Sequence, residues 1–238
     1  MNSIAMPLNR NIRLVLLALL IATSRQGMAA DDLGEKTLAT YPPTYIALIR
    51  QAMRAFNARD FEAALKLVDK ADVTFQVTPV ALNVRGAIAI EEKRYDEGRE
   101  FCLKALKKDP KFYPARFNLC EMQFIQGKYA EARALFQNLR ESHPDDDLLK
   151  FRIYLTFLLE KKDDVAQPYL DNIPQLGSSP LYYYAKAAWE FAHDNPTEGK
   201  KWLVSGRRIF PPRKHVNFID VFFDLGWLKR EDTAKKAE

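Results

Sequence analysis

Apolar and polar residues alternate along most of the chain with the period of an α-helix. In FEAALKLV at 61–68 and YAEARALF at 129–136, apolar side chains recur at i, i+3 and i+4. The stretch GKYAEARALFQNLRESHP at 127–144 repeats the order of residue types in KRYDEGREFCLKALKKDP at 93–110. Each begins with basic, aromatic, acidic and small residues, continues as an amphipathic segment and ends at Pro. The ungapped alignment of the two stretches indicates an internal repeat, and their helical periodicity predicts that each repeat is built from helices.

Three blocks align without gaps, at 45–78, 79–112 and 113–146. A fourth at 147–180 is looser, and a fifth at 181–213 lacks about one residue at its inner turn. Each block predicts two helices, A and B, with a tight turn between them; in the first three blocks the turns are at 58–60, 93–94 and 127–128. In the fourth, Tyr154 occupies the helix-A position that is small elsewhere, and Thr156 is the alternative two residues on.

Small residues recur where the two helices of a block must approach. They are Ala52, Gly86 and Cys120 on helix A, and Ala64, Gly98 and Ala132 on helix B. With the turn aromatics and Pro110 and Pro144, these positions resemble the tetratricopeptide repeat family, whose period of about 34 residues matches the length of the blocks. The resemblance implies an all-α fold of antiparallel helix-pair repeats, stacked in a right-handed superhelix with a C-terminal capping helix.

The N-terminal segment predicts a secretion signal. Arg10 and Arg13 precede the apolar run LVLLALLIA, and Gly27 and Ala29 suit a cut after residue 29. The run is too short to cross a bilayer, so no transmembrane segment is expected once 1–29 is removed. We therefore expect an exported protein, periplasmic or secreted, with a lead-in at 30–44.

Removal of that segment also changes the charge. It carries three arginines and no acid, so the formal net charge falls from +5 to +2. A nearly balanced chain gives no electrostatic reason to expect a nucleic-acid partner.

Side chains that could perform catalysis are sparse and scattered. The three histidines, His143, His193 and His215, stand singly, without the spacing of metal ligands, and no HExxH, GxxxxGK, GxSxG or CxxC motif occurs. The acids at 145–147 lack the spacing of a calcium loop and are expected to cap the following helix. The sequence therefore predicts no enzyme, no metal and no cofactor.

Two outcomes remain open for Cys102 and Cys120. Each is predicted to lie inside a helix of adjacent blocks, so the two could form a disulfide in an exported protein or stay as buried free thiols.

The outer positions of the A helices predict a concave groove that binds an apolar peptide or protein segment. The candidate residues are Ile49, Met53, Asn83, Phe117, Glu121, Phe151, Leu155, Tyr182 and Trp189. We expect about half of the aromatic residues to lie in the core instead.

A second candidate surface is basic. It comprises Lys200, Lys201, Arg207, Arg208, Arg213 and Lys214. Such a run either meets an acidic partner, a phosphate-bearing polymer or an anionic membrane, or is a solvated helix face.

The segment 214–230 predicts a capping helix, followed by a disordered tail at 231–238. The helix is more apolar than a cap requires. The sequence thus predicts a scaffold or adaptor with a protein or peptide partner; the alternative is a structural subunit that self-associates through 215–230.

Overall fold

The computed structural model describes residues 38–175 and 179–229. The predicted signal peptide at 1–29 and the predicted tail at 231–238 lie outside these residues. Within the described part the chain is entirely helical, without a strand, which confirms the predicted fold class. The helices are α1 Pro43–Asn57, α2 Phe61–Thr74, α3 Pro79–Glu91, α4 Tyr95–Lys108, α5 Tyr113–Ile125, α6 Tyr129–Glu141, α7 Asp147–Leu159, α8 Asp163–Asp171, α9 Leu181–Ala192, α10 Pro196–Ile209 and α11 Val216–Asp224.

The described residues form two compact units, 38–149 and 150–229, the second without 176–178. In the first unit α1 packs on α2, α3 on α4 and α5 on α6, and successive pairs meet through α2 with α3 and α4 with α5. In the second unit α9 packs on α10, and it also contacts α8 and α11. Consecutive helices therefore pair, as expected for helix-pair repeats.

One backbone feature marks the inner turn of every repeat. Each of these turns contains a residue with positive φ, between 57° and 74°, and the successive intervals are 34, 34, 34 and 33 positions: Arg59, Lys93, Gly127, Lys161 and Asp194. This left-handed residue follows the A helix and reverses the chain. The first three lie in the turns predicted from the sequence. The shorter last interval matches the residue missing from the fifth block.

The small residues lie at close helix contacts. A Cβ placed on Gly98 would lie 2.5 Å from Cγ1 of Ile90, and one on Gly86 would lie 3.2 Å from the carbonyl oxygen of Gly98. Ala52, Ala64 and Ala132 are fully buried. In the fourth repeat Tyr154 is also fully buried, and its ring stacks on Tyr169 at 6.1 Å between centroids. Helices α7 and α8 thus contact each other through aromatic rings, whereas α3 and α4 contact each other at glycines.

Helix α11 covers apolar side chains of the second unit. Phe222 is fully buried, with its ring centroid 5.6 Å from that of Phe191 on α9 and 5.8 Å from that of Tyr184. Phe218 packs on Phe151 of α7 at 5.4 Å. This strongly apolar helix therefore buries Phe218 and Phe222 within its own unit.

Candidate protein-interaction surfaces

Most side chains of the predicted groove are buried. Seven of the nine have relative exposures of 3 % or less: Ile49, Met53, Asn83, Phe117, Glu121, Phe151 and Leu155. The remaining two, Tyr182 and Trp189, are half-buried and lie on α9. The seven buried side chains do not line an open groove. Of the four aromatic candidates, two lie in the core and two are accessible, which agrees with the expectation that about half of them would be core residues.

The contacts of three of these residues explain their burial. The ring of Phe117 lies 5.6 Å from that of Phe136, across the α5–α6 pair. Phe151 is covered by Phe218 of α11. Asn83 accepts a 2.9 Å hydrogen bond from Nδ2 of Asn118, which joins the A helices of successive repeats. These side chains stabilise the helix stack and offer no surface to a partner.

Helix α9 differs from the A helices α3, α5 and α7 because one side of it is accessible; the first A helix, α1, is also accessible on one side. The accessible residues follow i, i+4, i+7, i+8 and i+11, which places them on one face. We call Tyr182, Lys186, Trp189, Glu190 and His193 the α9 stripe; the first four are half-buried and His193, which follows the last helical residue, is exposed. Lys186 and Glu190 were not among the candidates named from the sequence, although their spacing from Tyr182 would have placed them on the same face.

Packing on the other faces of α9 holds the α9 stripe in place. The close approach of α10 depends on glycine: a Cβ on Gly199 would lie 2.7 Å from the ring of Phe191, and one on Gly206 would lie 3.1 Å from Cβ of Tyr183. The buried residues of α9 are Tyr183, Tyr184, Ala187, Ala188 and Phe191, together with Leu181 and Ala185. The α9 stripe therefore lies on a helix whose opposite side is held by close packing.

The aromatic side chains of the α9 stripe are ordered by their neighbours. The ring of Trp189 stacks on that of His193 at 4.1 Å, and Nε2 of His193 lies 3.0 Å from Oδ2 of Asp163. Nζ of Lys186 lies 5.8 Å from the ring centroid of Tyr182, within cation–π distance. Burial alone would lower the pKa of His193, but its hydrogen bonds to the Trp189 carbonyl and to Asp163 raise it overall. Protonation of His193 therefore strengthens the contact that supports Trp189.

The basic patch lies mainly on α10. Lys200, Lys201, Arg207 and Arg208 are exposed, and Lys214, which is half-buried, lies with Nζ 5.8 Å from the ring centroid of Phe210. The side chain of Arg213 lies outside the described part. The structure therefore brings four of the six predicted residues onto one exposed helix, which is the geometry of a charged surface and not of a pocket.

The two cysteines are free and buried. Cys102 packs in the α3–α4 contact, where its Sγ would lie 3.2 Å from a Cβ on Gly86. Cys120 donates a 3.2 Å hydrogen bond to the carbonyl of Arg116 in its own helix. Each thiol therefore has a separate packing role, and the structure contains no disulfide between them. Burial raises the pKa of Cys102 to about 12, which keeps it protonated at neutral pH.

The described part of the chain contains no cluster of three or more His, Cys, Asp or Glu side chains that could hold a metal ion. Within the same residues, none of the helices combines the length and hydropathy needed to cross a bilayer.

Comparison with known proteins agrees with the helix-pair architecture. Residues 49–111 and 89–150 each match a tetratricopeptide repeat family model. No protein of curated function matches the sequence significantly.

Solved structures that are similar include the following two. The thermophilic tetratricopeptide-repeat protein TTC0263 of Thermus thermophilus is 15 % identical, and the match covers 77 % of this chain and 100 % of that one with a TM-score of 0.57. Pseudomonas aeruginosa PilF is 18 % identical over 77 % of this chain and 84 % of its own, but its TM-score of 0.49 is too low to extend the assignment. Residues 49–150 therefore match tetratricopeptide repeats, and the all-helical fold of the described residues is that of tetratricopeptide-repeat proteins.

Proposed function

We propose that this chain is an exported, non-enzymatic scaffold that binds an apolar segment of a protein partner through the α9 stripe. Tetratricopeptide repeats imply protein partners, and the α9 stripe is the part of the predicted groove that remains accessible. The observation that carries the proposal is the partial exposure of Tyr182 and Trp189 on a helix whose other faces are largely buried.

The residue types support a binding role. Trp and Tyr are enriched among the residues that contribute most to interfaces, because they bury a large area at a small cost in side-chain entropy. Stacking on His193 further limits the motion of Trp189. An apolar helix or extended segment with an acidic residue near Lys186 would complement the α9 stripe.

Site-specific photo-crosslinking tests this assignment. A benzophenone amino acid at position 186 should give discrete adducts in cells, whereas the same group at 135, an exposed leucine on α6, should give few. Trp189→Ala and Tyr182→Ala should each reduce the adduct yield severalfold, and Trp189→Phe should retain most of it. Equal adducts from the two positions, or adducts that do not respond to either alanine variant, would show that the α9 stripe is not the contact.

Export requires a separate measurement. The intact mass of the protein recovered from cells should correspond to a chain that starts at Ala30. A Leu16→Arg/Leu17→Arg variant, which interrupts the apolar run, should retain residues 1–29 and remain in the cytoplasm. Recovery of the unprocessed chain from unmodified cells would contradict export.

Self-association through 215–230 is the weaker candidate. Phe218, Val221 and Phe222, half of the apolar residues of α11, are buried within the second unit, while Ile219 and Phe223 are half-buried. Val216 is the one apolar residue of this helix that is exposed, at 53 %. We therefore expect a monomer by analytical ultracentrifugation; an oligomer that Val216→Asp dissociates would favour self-assembly instead.

A further inference from the structure

The outer face of α10 has an unusual combination of charges and aliphatic groups. Its opposite side, formed by Gly199, Leu203 and Gly206, is buried against α9. Five exposed residues have the spacing of one side of the helix, and we call them the α10 outer face: Lys200, Lys201, Val204, Arg207 and Arg208.

The charge of this face has one sign. No acidic residue occurs between positions 199 and 219, a segment that contains six Lys or Arg residues. The acid nearest in α10 is Glu198, which forms a 2.8 Å ion pair with Lys201 at the edge of the face. The α10 outer face therefore presents positive potential to an anionic surface.

Exposed aliphatic side chains accompany these cations. Val204 lies within the face and is 38 % exposed, while Ile209 at the end of α10 is 58 % exposed and Val216 is 53 % exposed. Single exposed aliphatic residues are ordinary on a soluble protein. Three of them occur between positions 204 and 216, on α10 and at the start of α11, in a segment whose charged residues are all basic, and such a mixture of cations and aliphatic groups suits a membrane interface.

We propose that the α10 outer face docks reversibly on a bilayer that contains anionic phospholipids. The cations alone would suit any polyanion, but Val204, Ile209 and Val216 would gain from contact with the acyl-chain boundary and would gain nothing on a nucleic acid backbone. Because this face and the α9 stripe are on different helices, membrane docking is independent of the proposed protein binding and would place the scaffold at a lipid surface.

The strength of such docking depends on charge and salt. Each Lys or Arg near an anionic bilayer contributes roughly a fivefold factor to the partition coefficient, so the loss of two weakens binding by about 25-fold. Charge reversal should weaken it further. High salt should reduce the electrostatic part and leave the smaller contribution of the aliphatic side chains.

Vesicle co-sedimentation of the full chain tests the proposal. Its N-terminal apolar segment is the same in every variant, so differences between variants report on the substituted positions. The probes are vesicles with a quarter phosphatidylglycerol in phosphatidylcholine, vesicles of phosphatidylcholine alone, and a single-stranded oligonucleotide.

Three double variants separate the contributions. Lys200→Glu/Arg208→Glu reverses charge on the face, and Val204→Ser/Ile209→Ser removes the exposed aliphatic groups of α10. As a control, Lys107→Glu/Lys111→Glu makes the same net charge change on exposed lysines of the first unit.

We expect binding to the anionic vesicles that falls at least about 25-fold in the charge-reversed α10 variant and severalfold in the serine variant. The control variant should bind as the unmodified chain does, and all variants should unfold at the same temperature. Equal losses in the control and α10 variants would overturn the proposal, because net charge alone would then be responsible. Binding that the serine substitutions leave unchanged, with equal binding to the oligonucleotide, would also overturn it in favour of a general polyanion site.

Discussion

The hydroxyl of Tyr113 donates a 2.6 Å hydrogen bond to Oδ2 of Asp146, the residue immediately before α7. Oδ1 of the same carboxylate accepts from the backbone N–H groups of Leu148 and Leu149 at 2.9 and 3.2 Å. The first residue of one A helix thereby holds the cap of the next A helix. The capping role expected for the acids at 145–147 is confirmed for Asp146.

A tyrosine contacts the residue before a later helix in two other places, and in the first of them that residue also caps the helix through its side chain. The hydroxyl of Tyr45 is hydrogen-bonded to Thr78, whose side chain accepts from the N–H of Ala81 at the start of α3. The hydroxyl of Tyr184 lies 3.1 Å from Nδ1 of His215, the residue before α11. Contacts between a tyrosine and the start of a later helix thus connect segments that are far apart in sequence, in addition to the apolar packing.

Removal of the Tyr113–Asp146 link should destabilise the fold. Both side chains are buried, so Tyr113→Phe should cost about 1.5–3 kcal/mol, the range for a hydrogen bond to a charged group. Asp146→Ala should cost more, because it also removes the cap and leaves the tyrosine hydroxyl without its acceptor. In urea denaturation the double variant should be less destabilised than the sum of the two single variants. Strict additivity would show that the two groups do not stabilise each other.

Close packing at Gly98 gives a second prediction. A methyl group there would approach Cγ1 of Ile90 to 2.5 Å, so Gly98→Ala should lower the free energy of unfolding by about 1–3 kcal/mol despite the better helix propensity of alanine. Ile90→Ala alone should cost about 2–5 kcal/mol. In the Gly98→Ala background it should cost less, because the new methyl group then fills part of the cavity. A stabilising Gly98→Ala variant would contradict the close contact.

The glycine contact and the burial of Phe151 show which parts of the fold the sequence could predict and which it could not. Gly86 and Gly98 are recognisable from sequence alone, because the contact they permit recurs at the same position in successive blocks. The burial of Phe151 is not, because it depends on Phe218, which lies much later in the chain and belongs to no repeat. The sequence of an amphipathic helix also does not reveal whether its second apolar side faces solvent or another helix. For this reason the sequence did not predict that most of the groove residues lie in the core. The α9 stripe remained partly predictable because its aromatic residues follow a single helical face.

The left-handed turn residues give a third prediction, with different outcomes at two equivalent positions. Gly127 has φ of 74° and Lys93 has φ of 63°. Gly127→Ala should destabilise the fold by about 1 kcal/mol, since a Cβ is disfavoured in this region. Lys93→Gly should be neutral or stabilising by less than about 1 kcal/mol, because relief of strain is offset by greater freedom of the unfolded chain. Thermal unfolding of the two variants distinguishes these effects, and destabilisation by both would show that the side chain of Lys93, not its backbone conformation, is what matters.

Two histidines of the second unit should make the stability depend on pH in opposite ways. Nε2 of His215 donates to the carbonyl of Phe210 at 2.8 Å, and its Nδ1 accepts from Tyr184, so the folded protein holds the ring neutral. Burial lowers the pKa of His215 below its usual value near 6.5, and the charge of Arg207 adds to this. Its contribution to stability is therefore complete above that value and declines as pH falls, because the unfolded chain takes up a proton that the folded chain resists.

His193 has the reverse sign. Although burial opposes the charged form, hydrogen bonds to the Trp189 carbonyl and Asp163 raise the pKa of His193. Its contribution to the stability of the fold is therefore complete below about pH 6.5, the usual pKa of histidine, and is lost as the pH rises through the higher pKa of the folded state. Gln can replace the Nε2 donor of either ring without titrating. His215→Gln should therefore flatten the loss of stability on the acidic side, and His193→Gln should steepen it. Urea midpoints measured between acidic and mildly basic pH report both, with the unmodified chain as the common reference. If the two variants shift the profile in the same direction, at least one of the hydrogen-bond arrangements described for these rings is wrong.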